Sequence, residues 1–166
     1  LSVSSFDDEN YLLMLTRGGF IKRTPLSSFS KIRANGLIAI GLEDGDALTW
    51  VRLAESGDSV LIGSKSGMTI HFRLNDSELR PLGRSARGVR SMNLKSGDSL
   101  VSMDVLSTEL ADHVDKSDVQ DELEDESSVS EGPWVLVASA SGLGKRVPVT
   151  QFRLQKRAGM GLRAIK

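Results

Sequence analysis

"VLIGSKSGMTIHFRL", residues 60–74, consists of an apolar run, a short polar step ending in glycine, and a second strand-like run. Both runs are too brief for helices, and a glycine between them accepts the positive φ of a hairpin turn. The stretch therefore reads as strand, turn, strand. The pattern returns as "LMLTRGGFIKRTPL" (13–26) and "VLVASASGLGKRVPV" (135–149), with Gly19, Gly67 and Gly142 at matching points. Such self-similarity marks a repeat architecture. The glycines are 48 and 75 positions apart, and the excess in the second interval matches an acidic stretch at 107–132.

A second half-repeat keeps the same register. "NGLIAIGLEDGDALTWVRL" (35–53) aligns with "RGVRSMNLKSGDSLVSMDV" (87–105), setting Gly36 on Gly88, Gly45 on Gly97 and Asp46 on Asp98. "MGLRAI" (160–165) begins a third copy at Gly161. Each unit reads as four short strands with no convincing helix, so the expectation is an all-β, propeller-like stack. Its parts are a blade at 11–54, a blade at 59–106, an acidic disordered insert at 107–132 and an incomplete blade at 133–166. Leu110, Val114, Val119 and Leu123 leave room for a brief helix in the insert, but its composition favours a solvated loop. A start without methionine and an end in mid-pattern read as a piece of a longer chain.

The formal net charge of −1 averages two populations. Residues 107–132 hold ten acids and one base, which leaves 12 acids against 20 bases in the remainder. A basic body with an acidic insert points to an anionic partner. There is no run of 18 apolar residues, so no membrane helix is expected. The lack of cysteine removes disulfides and thiolate metal sites and favours an intracellular or organellar setting. His71 and His113 lie far apart in unlike surroundings, which argues against a histidine-based metal centre or triad.

"SGLGKR" (141–146) invites a nucleotide-loop reading, which fails. Ser139 stands where the first glycine of a P-loop belongs, Arg146 stands where the serine or threonine belongs, and "RVPVTQF" does not open a helix. The alternative is a hairpin that presents Lys145 and Arg146 outward, with Lys22 and Arg23 at nearly the same offset in the first repeat and His71 and Arg73 as a weaker version in the second. Further bases cluster at matching glycines: Arg33 before Gly36; Arg84, Arg87 and Arg90 around Gly88; Lys156, Arg157 and Arg163 around Gly161. Taken singly these are ordinary surface charges. Their repeated placement suggests a stripe suited to a phosphate backbone. Asp44, Asp46 and Asp98 accompany turn glycines and read as acceptors for turn amides. Trp50 and Trp134 read as packing residues. At 5% aromatic content, a single-strand binder relying on base stacking is disfavoured.

"YLLMLTRGGFIKRTPLSSF", "RANGLIAIGLEDGD", "RGVRSMNLKSGDSLVSMDV" and "SGLGKRVPVTQFRLQKRAGMGL" together resemble the C-terminal domain of DNA gyrase A. The resemblance covers nearly all of the chain outside 107–132. It implies a β-pinwheel whose basic rim wraps double-stranded DNA non-specifically, in support of ATP-dependent negative supercoiling by a type II topoisomerase. It also implies partnership with gyrase B and a second copy of gyrase A. No catalytic residue, metal or cofactor is expected in this stretch, because ATP and magnesium are bound elsewhere in that complex. Tyr11, the one tyrosine, begins a blade strand and is not the cleavage nucleophile. The forms "LLMLTR", "IKRT" and "GVRSM" resemble the cyanobacterial and plastid branch. That implies a plastid (chloroplast) setting, with the mitochondrion as a second compartment, or else the bacterial cytoplasm and nucleoid. The glutamine-arginine-glycine box of gyrases is missing, so the C-terminal domain of topoisomerase IV stays open as an alternative, as does a propeller-type protein-interaction module.

Overall fold

A computed structural model describes residues 1–31, 33–117 and 133–164. The strands are β1 (Asn10–Thr16), β2 (Phe20–Pro25), β3 (Leu48–Glu55), β4 (Ser59–Ser64), β5 (Met68–Arg73), β6 (Val89–Arg90), β7 (Leu100–Leu106), β8 (Trp134–Ala138), β9 (Gly144–Pro148) and β10 (Leu162–Arg163). Helices are α1 (Asp76–Leu79) and α2 (Thr108–Ser117), with 3-10 turns at Leu26–Phe29 and Val149–Gln151. Three antiparallel sheets result, ordered β3-β1-β2-β6, β10-β5-β4-β7 and β8-β9. The all-β, propeller-like architecture expected from the repeat is present.

The hairpins turn at the landmark glycines: Gly19, Gly67 and Gly142 have φ of 91°, 80° and 84°. Register repeats as well, with Leu13 opposite Arg23, Leu61 opposite His71 and Leu136 opposite Arg146. The pairings β1·β3 and β4·β7 each shift register at the same point, between Leu15 and Thr16 and between Gly63 and Ser64. Beside these bulges Asp46 and Asp98 fulfil the sequence expectation. Asp46 accepts from the amides of Gly18 and Ala47, and Asp98 from those of Ser66 and Ser99. Partial burial alone would raise both carboxyls, but hydrogen bonds, including those from the Thr16, Ser64 and Ser66 hydroxyls, outweigh it and hold both below 3.8.

The fourth strand of each complete sheet comes from the following repeat. β6 pairs with β2 at Phe20 and Ile21, and β10 pairs with β5 at Met68 and Thr69. Gly88 and Gly161 lead into these strands with φ of 99° and 76°. A β-carbon there would lie 2.5 Å from the Ile21 carbonyl oxygen and 2.4 Å from that of Thr69. Only glycine permits that approach. Sheet and sequence repeat are therefore offset by one strand, and each blade is tied to the next through the backbone.

The core lies between successive sheets. Leu13, Leu15 and Ile21 of the first sheet meet Val60, Ile62 and Phe72 of the second, in a cluster that also takes in Leu74, Leu79, Leu100 and Met103. Trp50 packs against it, as expected of a blade-packing residue. On the other face of the second sheet, Leu61 packs with Val135, Val137 and Val147 of the third and with Phe152 just beyond it. Burial of each large aliphatic side chain contributes about 1.5–3 kcal/mol.

The insert departs from expectation near its start. Thr108–Ser117 is helix α2, with Ala111 and Val114 fully buried against the Val149–Gln151 turn. The Thr108 amide donates to Asp58 Oδ1 at 3.0 Å, and Arg73 pairs with Asp112 at 2.6 Å. Acidic composition did not keep this segment solvated because its two small apolar side chains have a seat. The remainder of the expected disordered stretch, 118–132, lies outside the described residues.

Candidate nucleic-acid interface

Two of the predicted contacts are interior. Lys22 and Arg23 are 0% and 1% exposed. Arg23 Nη1 donates to the Leu74 carbonyl at 2.9 Å, Nε to that of Leu79 at 2.5 Å, and Nη2 to Asp76 Oδ1 at 2.5 Å. Its guanidinium lies 4.6 Å from the centre of the Tyr11 ring. These carbonyls flank α1, so they have no partner within so short a helix and take donors from the preceding blade. Lys22 Nζ donates to the carbonyls of Gly83 at 3.0 Å and Arg84 at 2.5 Å. Burial, with the Arg84 charge nearby, lowers this ammonium to about 8, so at neutral pH it stays mainly protonated and donates to both. Lys22 and Arg23 are blade-joining cations, not phosphate contacts.

His71 occupies the Arg23 position in the second blade. Its ring is 1% exposed, with Nδ1 2.6 Å from the Phe152 carbonyl and Nε2 2.8 Å from Ser59 Oγ. A carbonyl only accepts, so Nδ1 carries the proton and neutral Nε2 accepts from the hydroxyl. Burial lowers the His71 pKa below 6.5; the Phe152 bond opposes this and the Arg73 charge adds to it. The unfolded chain binds this proton near pH 6.5 and the folded one does not, so stability present above that value is lost as pH falls below it. Urea unfolding from about pH 7 to about pH 5 should therefore show a falling midpoint, with a slope of at most about 1.4 kcal/mol per pH unit. His71→Gln should flatten that region, whereas an unchanged slope in the variant would contradict the assignment. Carboxylate losses belong to a separate window, below 3.8 for Asp46 and Asp98.

The remaining predicted residues lie at the surface. Arg33, Arg87, Arg90, Lys145, Arg146, Lys156 and Arg163 are exposed, and Arg84 and Arg157 are half-buried. Arg33 and Arg84 line one shallow cleft of about 420 Å³ with Gly36, Leu37, Ile38 and Ser85. Arg87 and Arg90 both lie over the Phe20 ring, at 4.4 and 5.1 Å, and Arg87 also pairs with Glu43. That exposed pair holds little energy and yields readily to another anion. Arg90 on β6 and Arg163 on β10 occupy equivalent places on the two fourth strands, opposite Phe20 and Met68. Arg157 is engaged within the protein: Nε donates to the Glu78 carbonyl and Nη1 to that of Arg90, both at 2.6 Å.

Sequence reasoning missed a second repeating pair. Arg17 and Lys65 stand at equivalent positions on the exposed tips of the β1–β2 and β4–β5 hairpins. The interval of 48 that relates Gly19 to Gly67 also relates these two, which was the available signal. Arg17 and Arg90 border the same surface depression beside Phe20. Among the described residues there is no cluster of three metal-ligating side chains. The surface can therefore present cations at repeated intervals, and the buried, doubly bonded His71 is not available as a base.

Over residues 10–55, 58–107 and 133–166 the sequence matches the family described as DNA gyrase C-terminal domain, beta-propeller. It is 53% identical over 175 residues to the DNA gyrase A protein of Synechocystis sp., covering 100% of this chain and 20% of that protein. It is 41% identical over 166 residues to the chloroplastic/mitochondrial DNA gyrase A protein of Arabidopsis thaliana, covering 99% of this chain and 17% of that one. The chain thus spans a fifth or less of the length of these relatives. The fold is similar to the C-terminal domain of DNA topoisomerase IV, with a TM-score of 0.76 and 26% identity, covering 98% of this chain and 43% of that one. It is also similar to the DNA gyrase A C-terminal domain, with a TM-score of 0.71 and 28% identity, covering 96% and 45%. With the repeated sheets in place and the family matched along all three repeats, the chain belongs to the DNA gyrase C-terminal domain family.

Proposed function

We propose that this chain is a duplex-DNA-binding module of a DNA gyrase A protein and that it guides DNA along a curved path over successive blades. The observation that carries the reading is the recurrence of exposed cations at equivalent blade positions, Arg90 with Arg163 and Arg17 with Lys65. Arg33, Arg84, Arg87 and Lys156 add charge to the surface. Contacts to phosphate fix the position of a duplex without reading its bases, so binding is indifferent to sequence. Arginine suits the task because its planar fork meets two phosphate oxygens.

A wrapped segment would create the DNA crossing through which the breakage–rejoining part of a type II topoisomerase passes a second segment. ATP hydrolysis would belong to gyrase B, and strand cleavage to the rest of gyrase A in its pairing with a second copy. This stretch supplies geometry. Identity of 53% to a gyrase A protein along the whole chain favours gyrase over topoisomerase IV, whose domain is similar at 26%. The similarity to the Synechocystis and the chloroplastic/mitochondrial proteins supports work on bacterial or organellar DNA.

Closing a nicked circular duplex with ligase in the presence of the full-length protein tests the wrapping. The linking-number distribution should shift in proportion to bound protein. An unshifted distribution on fully bound DNA would leave simple adhesion as the function and contradict wrapping.

A further inference from the structure

Two junctions between successive repeats share a backbone and differ in charge. Glu43 and Lys95 hold equivalent places ahead of the Gly-Asp turns, where their main-chain carbonyls accept from the Asp46 and Asp98 amides, each at 3.0 Å. Arg87 and Met160 are equivalent too, immediately before Gly88 and Gly161 in the following repeat. The first junction thus combines a carboxylate with a guanidinium and is neutral. The second combines an ammonium with a thioether and is positive. Asp44 in the first turn is Ser96 in the second, which widens the difference.

Glu43 sits among the cations that the blades leave exposed. Its carboxylate pairs with Arg87, and the two side chains are 51% and 48% exposed. It also borders the depression shared by Arg17, Phe20 and Arg90. Water reaches both partners, so the pair is weak enough to exchange its anion. The Phe20 ring under Arg87 is a hold that persists when the carboxylate leaves. Joining the repeats does not require the pair, since the second junction has the same turn and the same fourth-strand pairing without it.

We propose that Glu43 competes with phosphate for Arg87: without DNA it occupies the guanidinium, and a duplex gains that contact only by displacing it. The inference rests on the reading of the exposed arginines as duplex contacts and adds the acidic residue that sets their strength. Displacement leaves the carboxylate beside the phosphates, where it repels them and draws a cation back from solution. That uptake offsets the counterion that Arg87 releases from the duplex. The junction at Glu43 therefore grips DNA less than the junction at Lys95, and the two hold the curved path unequally.

Duplex titrations of the full-length protein across a range of salt test this. Glu43→Gln should raise affinity about fivefold at about 100 mM salt and steepen the log–log slope by up to about 1. Glu43→Lys, which gives the first junction the charge of the second, should raise both further. In an Arg87→Ala background the gain from Glu43→Gln should shrink by about two- to fivefold, the range open to an exposed ion pair. An equal gain in both backgrounds would mean a carboxylate that repels DNA without holding Arg87, and would overturn the proposal. Unchanged affinity in Glu43→Gln would overturn it as well. So would weaker affinity, which would make Glu43 a support that keeps Arg87 in its binding pose. All three leave duplex binding intact, whereas a wild-type protein that binds no duplex at low salt would overturn the underlying reading and this inference with it.

Discussion

Arg23→Ala lowers the unfolding free energy by about 3 kcal/mol and leaves the salt dependence of duplex affinity as it was. The substitution strips donors from the carbonyls of Leu74 and Leu79, and each buried acceptor left unpaired costs about 1–3 kcal/mol. The bond to Asp76 adds little, because that carboxylate is 84% exposed and well solvated. Contact with the Tyr11 ring is lost as well. Arg23→Lys keeps the charge but not the fork, so it should fall between wild type and alanine. Denaturant unfolding provides the stability and a duplex titration the affinity. A fully stable alanine variant with weakened DNA binding would return Arg23 to the surface role that its sequence position suggested.

The contrast between the turn glycines and Arg23 shows where sequence reading works in this protein. Hairpins at Gly19, Gly67 and Gly142 were legible because turn chemistry is local and repeated three times. So were the acceptor roles of Asp46 and Asp98, which depend on turn amides and on a repeated Gly-Asp step. Lys22 and Arg23 were misread because a cation's partner is a tertiary fact. Their carbonyl acceptors lie more than fifty residues away, at and beyond the ends of a one-turn helix that no periodicity announces. The two-residue strands β6 and β10 are likewise too short to show alternation, so the exchange of the fourth strand stayed hidden. Helix α2 was judged from its charge, whereas Ala111 and Val114 decide its place by the seat they fill. Arg17 and Lys65 escaped for a different reason: they stand on the hairpin tips before Gly19 and Gly67, while the hairpin bases that stood out in the sequence, Lys22, Arg23, Lys145 and Arg146, follow Gly19 and Gly142.

Salt exerts the largest effect expected on this chain. Each phosphate neutralised by a lysine or arginine releases condensed counterions, so the logarithm of affinity falls with the logarithm of salt at about −0.9 per contact on duplex DNA. About six contacts, drawn from Arg17, Arg33, Lys65, Arg84, Arg87, Arg90, Lys156 and Arg163, imply a loss near a thousandfold between about 50 and 200 mM salt. The loss should be the same for duplexes of unrelated sequence, as binding through phosphates alone requires. Replacing Arg90 and Arg163 by alanine should make the slope shallower by about 2 with little change in stability, because both side chains are exposed on edge strands and Arg90 gives up only its contact with the Phe20 ring.

If the repeated blades bind DNA as proposed, through the cations they leave uncovered, a salt titration of duplex affinity, wild type beside Arg90→Ala/Arg163→Ala, measures this most directly. A steep slope that becomes shallower in the double variant, equally on every sequence, is the expected result. A flat dependence, or a loss confined to one DNA sequence, would contradict the account.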